Sequence, residues 1–397
     1  MDYGVSFCSI RFDNPFVLSS GPPTASAELI RRGFDAGWAG AVIKTLIREP
    51  VNYLQNRFAV MRQGRHIVGF ENLELLSTRP PDKWFEDIAR LKKEFPSRII
   101  IGSIMGDARA PEDWLYLARG CVEAGADMLE LNFSCPHGYP ERGKGAAIGQ
   151  NAEYCARICG WLKQCADINI PVIAKLTALV ADIQHIGEAV RGAGADGVCA
   201  INSISSFFGI DLKTLRPKPD INGKTSYGGY SGPGIKPIAL MAVSSLLHVP
   251  DLPVMACGGI ESGDDAAEFM LLGAPVVQAC TAVMLRGFAI VDKMKEDLHQ
   301  FMDWHGFNGC GDFIGKCQNS VTPYSSLNPE AVLSACIDPD KCTGCQACLV
   351  ACRDGGYQAI FLRDAGPYVK DDKCTGCSLC SHVCPTGAIT MENRWVF

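Results

Sequence analysis

The chain has 397 residues, of which 47% are hydrophobic and 20% charged, and its formal net charge is −6. That length supports a large core and about two domains, while the acidic balance excludes the basic footprint of a nucleic-acid binder. The first residues lack a charged-then-apolar leader with a small-residue cleavage site, so the expected location is cytoplasmic.

Taken in chain order, the first 325 or so residues repeat one unit: a helix-like segment, a small turn containing glycine, and a β-rich apolar run. The unit recurs as AGWAGAVIKT (36–45), AGADMLELNFS (124–134), AGADGVCAINS (193–203) and LGAPVVQACTA (272–282). Between these lie NPFVLSSG (14–21), RIIIGSIMG (98–106), PVIAKLT (171–177) and LPVMACGGI (252–260), which makes eight candidate strands. Short, near-continuously apolar strands rich in Val and Ile suit a parallel sheet buried on both faces. Eight of them alternating with helices predict a closed (β/α)8 barrel, an α/β fold, over residues 1–325. The apolar stretch 269–291 is broken by Gly273, Pro275, Gln278, Thr281 and Arg286, and divides into helix end, strand and helix rather than a membrane span.

In such barrels the chemistry sits at the C-terminal ends of the strands. Lys44, Asn132, Lys175 and Asn202 fall there, as do Gly258, Gly259 and Thr281. Buried lysines are rare without a partner, and the plain alternative is that both pair with carboxylates on neighbouring strands. Cys135 follows the strand carrying Glu130 and Asn132, where Pro136 ends regular structure; the Gly-rich loop 137–149 after it is expected to act as a lid. A thiol and an Asn where an apolar strand stops form an active-site pattern, although a buried inert thiol is the ordinary fate of a cysteine.

Two glycine patterns differ in meaning. Gly192, Gly194 and Gly197 match G-x-G-x-x-G, but here a helix precedes and a strand follows, which reverses the dinucleotide-binding order. No NAD(P) site is expected on this chain. Gly258 and Gly259 follow the seventh strand and precede a helix start with Asp264 and Asp265, where a barrel of this type receives a phosphate on backbone amides.

Of the 20 cysteines, eight lie in two copies of C-x2-C-x2-C-x3-C. This is the bacterial ferredoxin spacing, in which the fourth cysteine of each run serves the other cluster. Cys342, Cys345, Cys348 and Cys384 are expected to hold one [4Fe-4S] cluster, and Cys374, Cys377, Cys380 and Cys352 the second. Zinc would ordinarily use two separated C-x2-C pairs or Cys with His. Residues 326–397 are therefore read as a small ferredoxin-like α+β electron-transfer domain. Clusters pass single electrons whereas organic redox substrates change by two, so the barrel needs a cofactor able to do both. A flavin does this, and the single phosphate of FMN suits the site after the seventh strand.

The strings LELNFSCPHG, ERGKG, NPFVLSS, VIKT, FENLEL, IAKLT, AINS, GGYSG and CGGI, with the double-cluster tail, closely resemble the dihydropyrimidine dehydrogenase family. The match is to the flavin-containing subunit of the bacterial enzyme and equally to the C-terminal half of the fused eukaryotic one. The resemblance covers essentially the whole chain. It implies an FMN barrel related to class 1 dihydroorotate dehydrogenases that reduces the 5,6 double bond of uracil or thymine. It places FMN at Ser20, Lys44, Thr45, Lys175, Gly232, Gly258, Gly259 and Thr281, and the pyrimidine at Asn72, Asn132, Ser134, Asn202 and Ser203. Cys135 is implied as the general acid at C5, opposite the flavin N5. NAD(P)H and FAD are implied on a partner flavoprotein subunit in a hetero-oligomer. Two departures are Ser203, where the eukaryotic enzyme has Thr, and Cys257, where Thr is usual. The rivals are a dihydroorotate dehydrogenase, which has Asn where this chain has His137, and an electron-transfer protein with a non-catalytic barrel.

Overall fold

A computed structural model describes residues 1–50, 55–136, 143–329, 333–364 and 366–393. The chain divides into two compact units, Met1–Val321 and Thr322–Phe397.

The first unit is a closed barrel of eight parallel strands in sequential order. They are β1 (Phe16–Leu18), β2 (Gly40–Val42), β3 (Ile99–Ile104), β4 (Met128–Asn132), β5 (Val172–Leu176), β6 (Gly197–Ala200), β7 (Val254–Cys257) and β8 (Val277–Ala279). Each lies within one of the eight apolar runs read from the sequence. Almost every strand residue is buried, as helices on the outside and packed side chains on the inside require.

Helix starts follow local chemistry. Ser26, Asn151, Asp182 and Ser262 each accept a hydrogen bond from the amide three residues on, and Pro81 and Pro111 open their helices where a missing N–H costs nothing. The GAGADG stretch is the helix-to-strand turn expected of it: helix Ile183–Gly192 ends, Gly194 turns at φ +91°, and β6 begins at Gly197. The aspartate of the repeated AGAD has its own task. Asp127 accepts from the Ile100 amide at 2.8 Å and pairs with Lys92 at 2.9 Å, and Asp196 repeats this with Val172 at 2.7 Å and Lys163 at 2.8 Å. Trp38, Trp84 and Trp114 are fully buried with their indole N–H groups bonded, each contributing on the order of 1.5–3 kcal/mol of apolar burial.

The two barrel ends differ. An antiparallel hairpin, Val5–Phe7 with Ile10–Phe12, closes the N-terminal end, with Phe7 and Cys8 packed against Gly197 at the start of β6. Over the C-terminal end stands an antiparallel sheet in the order Ile204–Ser206, Gly228–Ser231, His66–Leu73, Arg57–Gln63. Its strands come from the segments after β2 and after β6, and the sequence reading did not contain them.

The second unit pairs Leu333–Ile337 with Ile389–Asn393 and Ile360–Arg363 with Gly366–Val369, and adds helices Ala347–Gly355 and Leu379–His382. Its core is small, centred on Ala335, Cys348, Ile360, Cys380 and Ile389. Among the described residues no helix is long and apolar enough to cross a membrane.

Candidate active site

The C-terminal ends of the barrel strands and the overlying sheet enclose a cleft lined by both polar and apolar side chains. All eight residues expected at the cofactor line it: Ser20, Lys44, Thr45, Lys175, Gly232, Gly258, Gly259 and Thr281. Asn72, Asn132, Cys135, Asn202 and Ser203 line it too. Ser134, expected at the pyrimidine, does not. It is fully buried behind the wall, where its hydroxyl donates to Asn132 Oδ1 at 3.2 Å and accepts from Asn202 Nδ2 at 3.0 Å.

The wall is one hydrogen-bonded chain. Asn132 Nδ2 donates to Thr45 Oγ1 at 3.0 Å, and Thr45 Oγ1 lies 2.8 Å from Ser103 Oγ and 3.2 Å from Ser20 Oγ. Asn132 Oδ1 also accepts from the amides of Ser134 and Cys135, both at 3.1 Å. That turn ends β4 and sets the start of the cysteine's backbone. Asn72 stands on the overlying sheet and donates to the Gly229 carbonyl at 2.9 Å.

Both lysines are ion-paired as well as cleft-lining. Lys44 Nζ lies 2.8 Å from Glu74 Oε1 and Lys175 Nζ 3.8 Å from Glu130 Oε2. Burial opposes the Lys175 charge, but Cys199, Cys257 and Glu130 around it outweigh burial and hold its pKa above the ordinary lysine value.

The loop after Cys135 is described from Gly143 onward; His137 and the rest of 137–142 lie outside the described residues. Its return is anchored: the Ala146 amide donates to the Cys135 carbonyl at 3.0 Å, and Gly145 packs on the Cys135 backbone.

The donor set fits FMN. Gly258 and Gly259 take φ +128° and +76°, conformations that favour glycine and turn the backbone into the cleft after β7. Ser231 Oγ and Thr281 Oγ1, 2.8 Å apart, face the same end beside Gly232. The helix after them, Gly263–Leu272, is already capped. Ser262 accepts from the Asp265 amide, and the Asp265 carboxylate accepts from the Glu261 amide at 2.9 Å and the Ser262 hydroxyl at 2.8 Å. A phosphate therefore fits the glycine pair and the β8 turn rather than that helix start.

In the second unit the eight cysteines fall around two separate cavities. Cys342, Cys345, Cys348 and Cys384 line one, and Cys352, Cys374, Cys377 and Cys380 the other. These are the crossed sets that the ferredoxin spacing requires. Gly344 and Gly376, like Gln346 and Ser378, repeat the same left-handed backbone in the two halves. Cys352 Sγ accepts from the Ala359 amide at 3.2 Å and Cys384 Sγ from the Ala388 amide at 3.3 Å, matched contacts of the kind that tune a cluster. Among the described residues no three His, Cys, Asp or Glu side chains are grouped to hold a single metal ion.

Residues 3–302 match the family model for dihydroorotate dehydrogenase. The chain belongs to the dihydroorotate dehydrogenase family. Residues 335–391 match the 4Fe-4S dicluster domain, so this dehydrogenase barrel carries an iron-sulfur tail. The chain is 37% identical over 363 residues to the NAD-dependent dihydropyrimidine dehydrogenase subunit PreA of Escherichia coli (strain K12), covering 90% of this chain and 87% of that one. It is 38% identical over 340 residues to the chloroplastic dihydropyrimidine dehydrogenase (NADP(+)) of Arabidopsis thaliana, covering 82% and 79%. It is 38% identical over 311 residues to the catalytic subunit of dihydroorotate dehydrogenase B (NAD(+)) of Pyrococcus abyssi, covering 78% of this chain and 97% of that one.

Within the dihydroorotate dehydrogenase barrel, sequence reasoning missed Glu74, Gln278 and Glu261 as cleft residues. Gln278 had a signal, a polar residue inside an apolar strand, which served only to argue against a membrane span. Glu74 had none, because its strand-end position belongs to a sheet the apolar pattern does not reveal.

Proposed function

We propose that the chain reduces the 5,6 double bond of uracil or thymine to the 5,6-dihydropyrimidine, reversibly. The barrel does the chemistry, and electrons arrive through two [4Fe-4S] clusters in the tail from an NAD(P)H-oxidising, FAD-containing partner subunit. The observation that carries the choice of substrate is the pairing of both cleft lysines. Orotate bears a carboxylate, and among the described lining residues Lys44 and Lys175 are each already matched by a glutamate. An uncharged cyclic imide suits that cleft, and the Escherichia coli and Arabidopsis relatives, both named as dihydropyrimidine dehydrogenases, agree with it.

FMN, held by Ser20, Lys44, Thr45, Lys175, Gly232, Gly258, Gly259 and Thr281, supplies hydride exchange with carbon and single-electron exchange with the clusters. The chain's own residues do the rest. Asn132 has its carbonyl oxygen filled by the Ser134 and Cys135 amides, so it offers N–H to a pyrimidine carbonyl. Asn72 keeps its carbonyl oxygen and one N–H for the imide edge. Asn202 and Ser203, bonded to each other, close the other side, and Ser134 holds Asn132 and Asn202 in place from behind. Cys135 Sγ gives its proton to C5 in reduction and takes it back in oxidation.

The test is anaerobic turnover of uracil and orotate by the dithionite-reduced chain, after flavin and iron analysis. Uracil turnover, lost by about 10²–10⁴-fold in Cys135→Ala, is expected. Preferential turnover of orotate, or full activity in Cys135→Ala, overturns the proposal.

A further inference from the structure

Glu130 on β4, Lys175 on β5 and Gln278 on β8 meet inside the barrel at the floor of the cleft, and they are 1%, 4% and 0% exposed. Gln278 Nε2 donates to Glu130 Oε2 at 2.8 Å, while its Oε1 accepts from Lys175 Nζ at 2.5 Å and from Ser19 Oγ at 3.0 Å. In the closed eight-stranded order β4 and β8 stand opposite each other, so the Gln278 amide spans the interior. Such a barrel is ordinarily filled with branched apolar side chains, and an ion pair at this depth is weak evidence for stability, because desolvation offsets its attraction. Gln278 separates the two charges. Its carbonyl takes the ammonium directly, and the carboxylate is held at 3.8 Å from Lys175 Nζ instead of in contact.

We infer that Glu130 and Gln278 are positioning residues that set how much of the Lys175 charge is felt in the cleft, and thereby the reduction potential of the flavin. This rests on the reading that the cleft holds FMN with Lys175 at its N1/O2 edge. An ammonium there favours the reduced, anionic ring. Glu130 behind it weakens that preference, and the Gln278 spacer keeps Lys175 from collapsing onto Glu130.

The experiment measures the FMN midpoint potential of the full chain by equilibration with a reference dye, beside flavin content. Glu130→Gln keeps the shape and removes the charge. It is expected to shift the reduced-to-oxidised ratio about tenfold toward the reduced form, about 30 mV for a two-electron couple. Gln278→Met removes the spacer and lets Lys175 pair directly with Glu130, so its shift is expected in the opposite direction. A merely structural role predicts no such opposed pair. Flavin-loaded Glu130→Gln with an unmoved potential overturns the inference; where that variant fails to fold, an unmoved or upward-shifted Gln278→Met does so. A wild-type chain that holds no flavin overturns the parent reading and this one with it.

Discussion

Lys44 Nζ lies 2.8 Å from Glu74 Oε1, and the two side chains are only 11% and 9% exposed. The pair joins the end of β2 to the sheet above the barrel, and Asn56 Nδ2 donates to the same carboxylate at 3.1 Å. Removing the ammonium takes away a direct charge partner of a carboxylate in a shielded place. Lys44→Met is therefore expected to destabilise the barrel by about 3–5 kcal/mol, read by denaturant unfolding through its buried tryptophans. Lys44→Met with Glu74→Met together should recover most of that loss; a double variant as unstable as the single would show that packing, not charge, dominates.

The anchoring of the loop on Cys135 rests on Gly145. It has φ +58°, and a Cβ there would lie 2.7 Å from the Cys135 carbonyl oxygen. Gly145→Val forces a β-branched residue into a left-handed conformation and against that carbonyl. Turnover is expected to fall tenfold or more with flavin content kept. Gly143→Ala, at φ +70° with open space around it, should cost far less. Equal losses in the two would separate the loop from the thiol.

The crossed cysteine sets predict which cluster each substitution damages. Cys352→Ser should remove the cluster of Cys374, Cys377 and Cys380 and leave that of Cys342, Cys345, Cys348 and Cys384, halving the tail's iron. Iron analysis with electron paramagnetic resonance of the reduced chain checks it. Because Cys348 and Cys380 also belong to the tail's small core, stripping iron with a chelator should expose residues 322–397 to protease while the barrel persists.

Asp265 sets a pH dependence. Burial alone would raise its pKa, but the Lys236 ammonium at 2.7 Å, the Glu261 amide and the Ser262 hydroxyl outweigh burial and hold it below the ordinary 3.8. A carboxylate depressed in the folded state contributes stability that is complete above the unfolded value, about 3.9. That contribution is lost as pH falls through the folded value. The gap in Tm between the wild type and Asp265→Asn should therefore be constant near neutrality and shrink below about pH 4. A gap that widens in acid would reverse the assigned sign.

What the sequence alone determined was whatever local pattern enforces. A strand buried on both faces must be apolar throughout, and a helix turning into it needs a left-handed residue, so the eight strands and their turns, Gly194 among them, were readable in order. The spacing of the tail cysteines made their division between the two cavities readable as well, and Lys44, Asn132, Cys135, Lys175, Asn202, Gly258, Gly259 and Thr281 followed from their positions at strand ends, whereas Ser20, Thr45, Gly232, Asn72 and Ser203 came only with the family resemblance. The tertiary structure alone decided which residues meet. The sheet above the cleft joins Asn72 to Gly229 across more than 150 residues (|i−j| = 157), and its strands are partly exposed and antiparallel, so no continuous apolar run announces them. Ser134 sits one residue from the catalytic candidate, yet the turn held by Asn132 at the end of β4 places it behind the wall. Lys44 finds Glu74 only where the overlying sheet meets the end of β2, and Gln278 reaches Glu130 and Lys175 only because closure sets β8 across the interior from β4. Local pattern reports burial and backbone preference, whereas the partner of a buried charge is set by contacts between segments far apart in the chain.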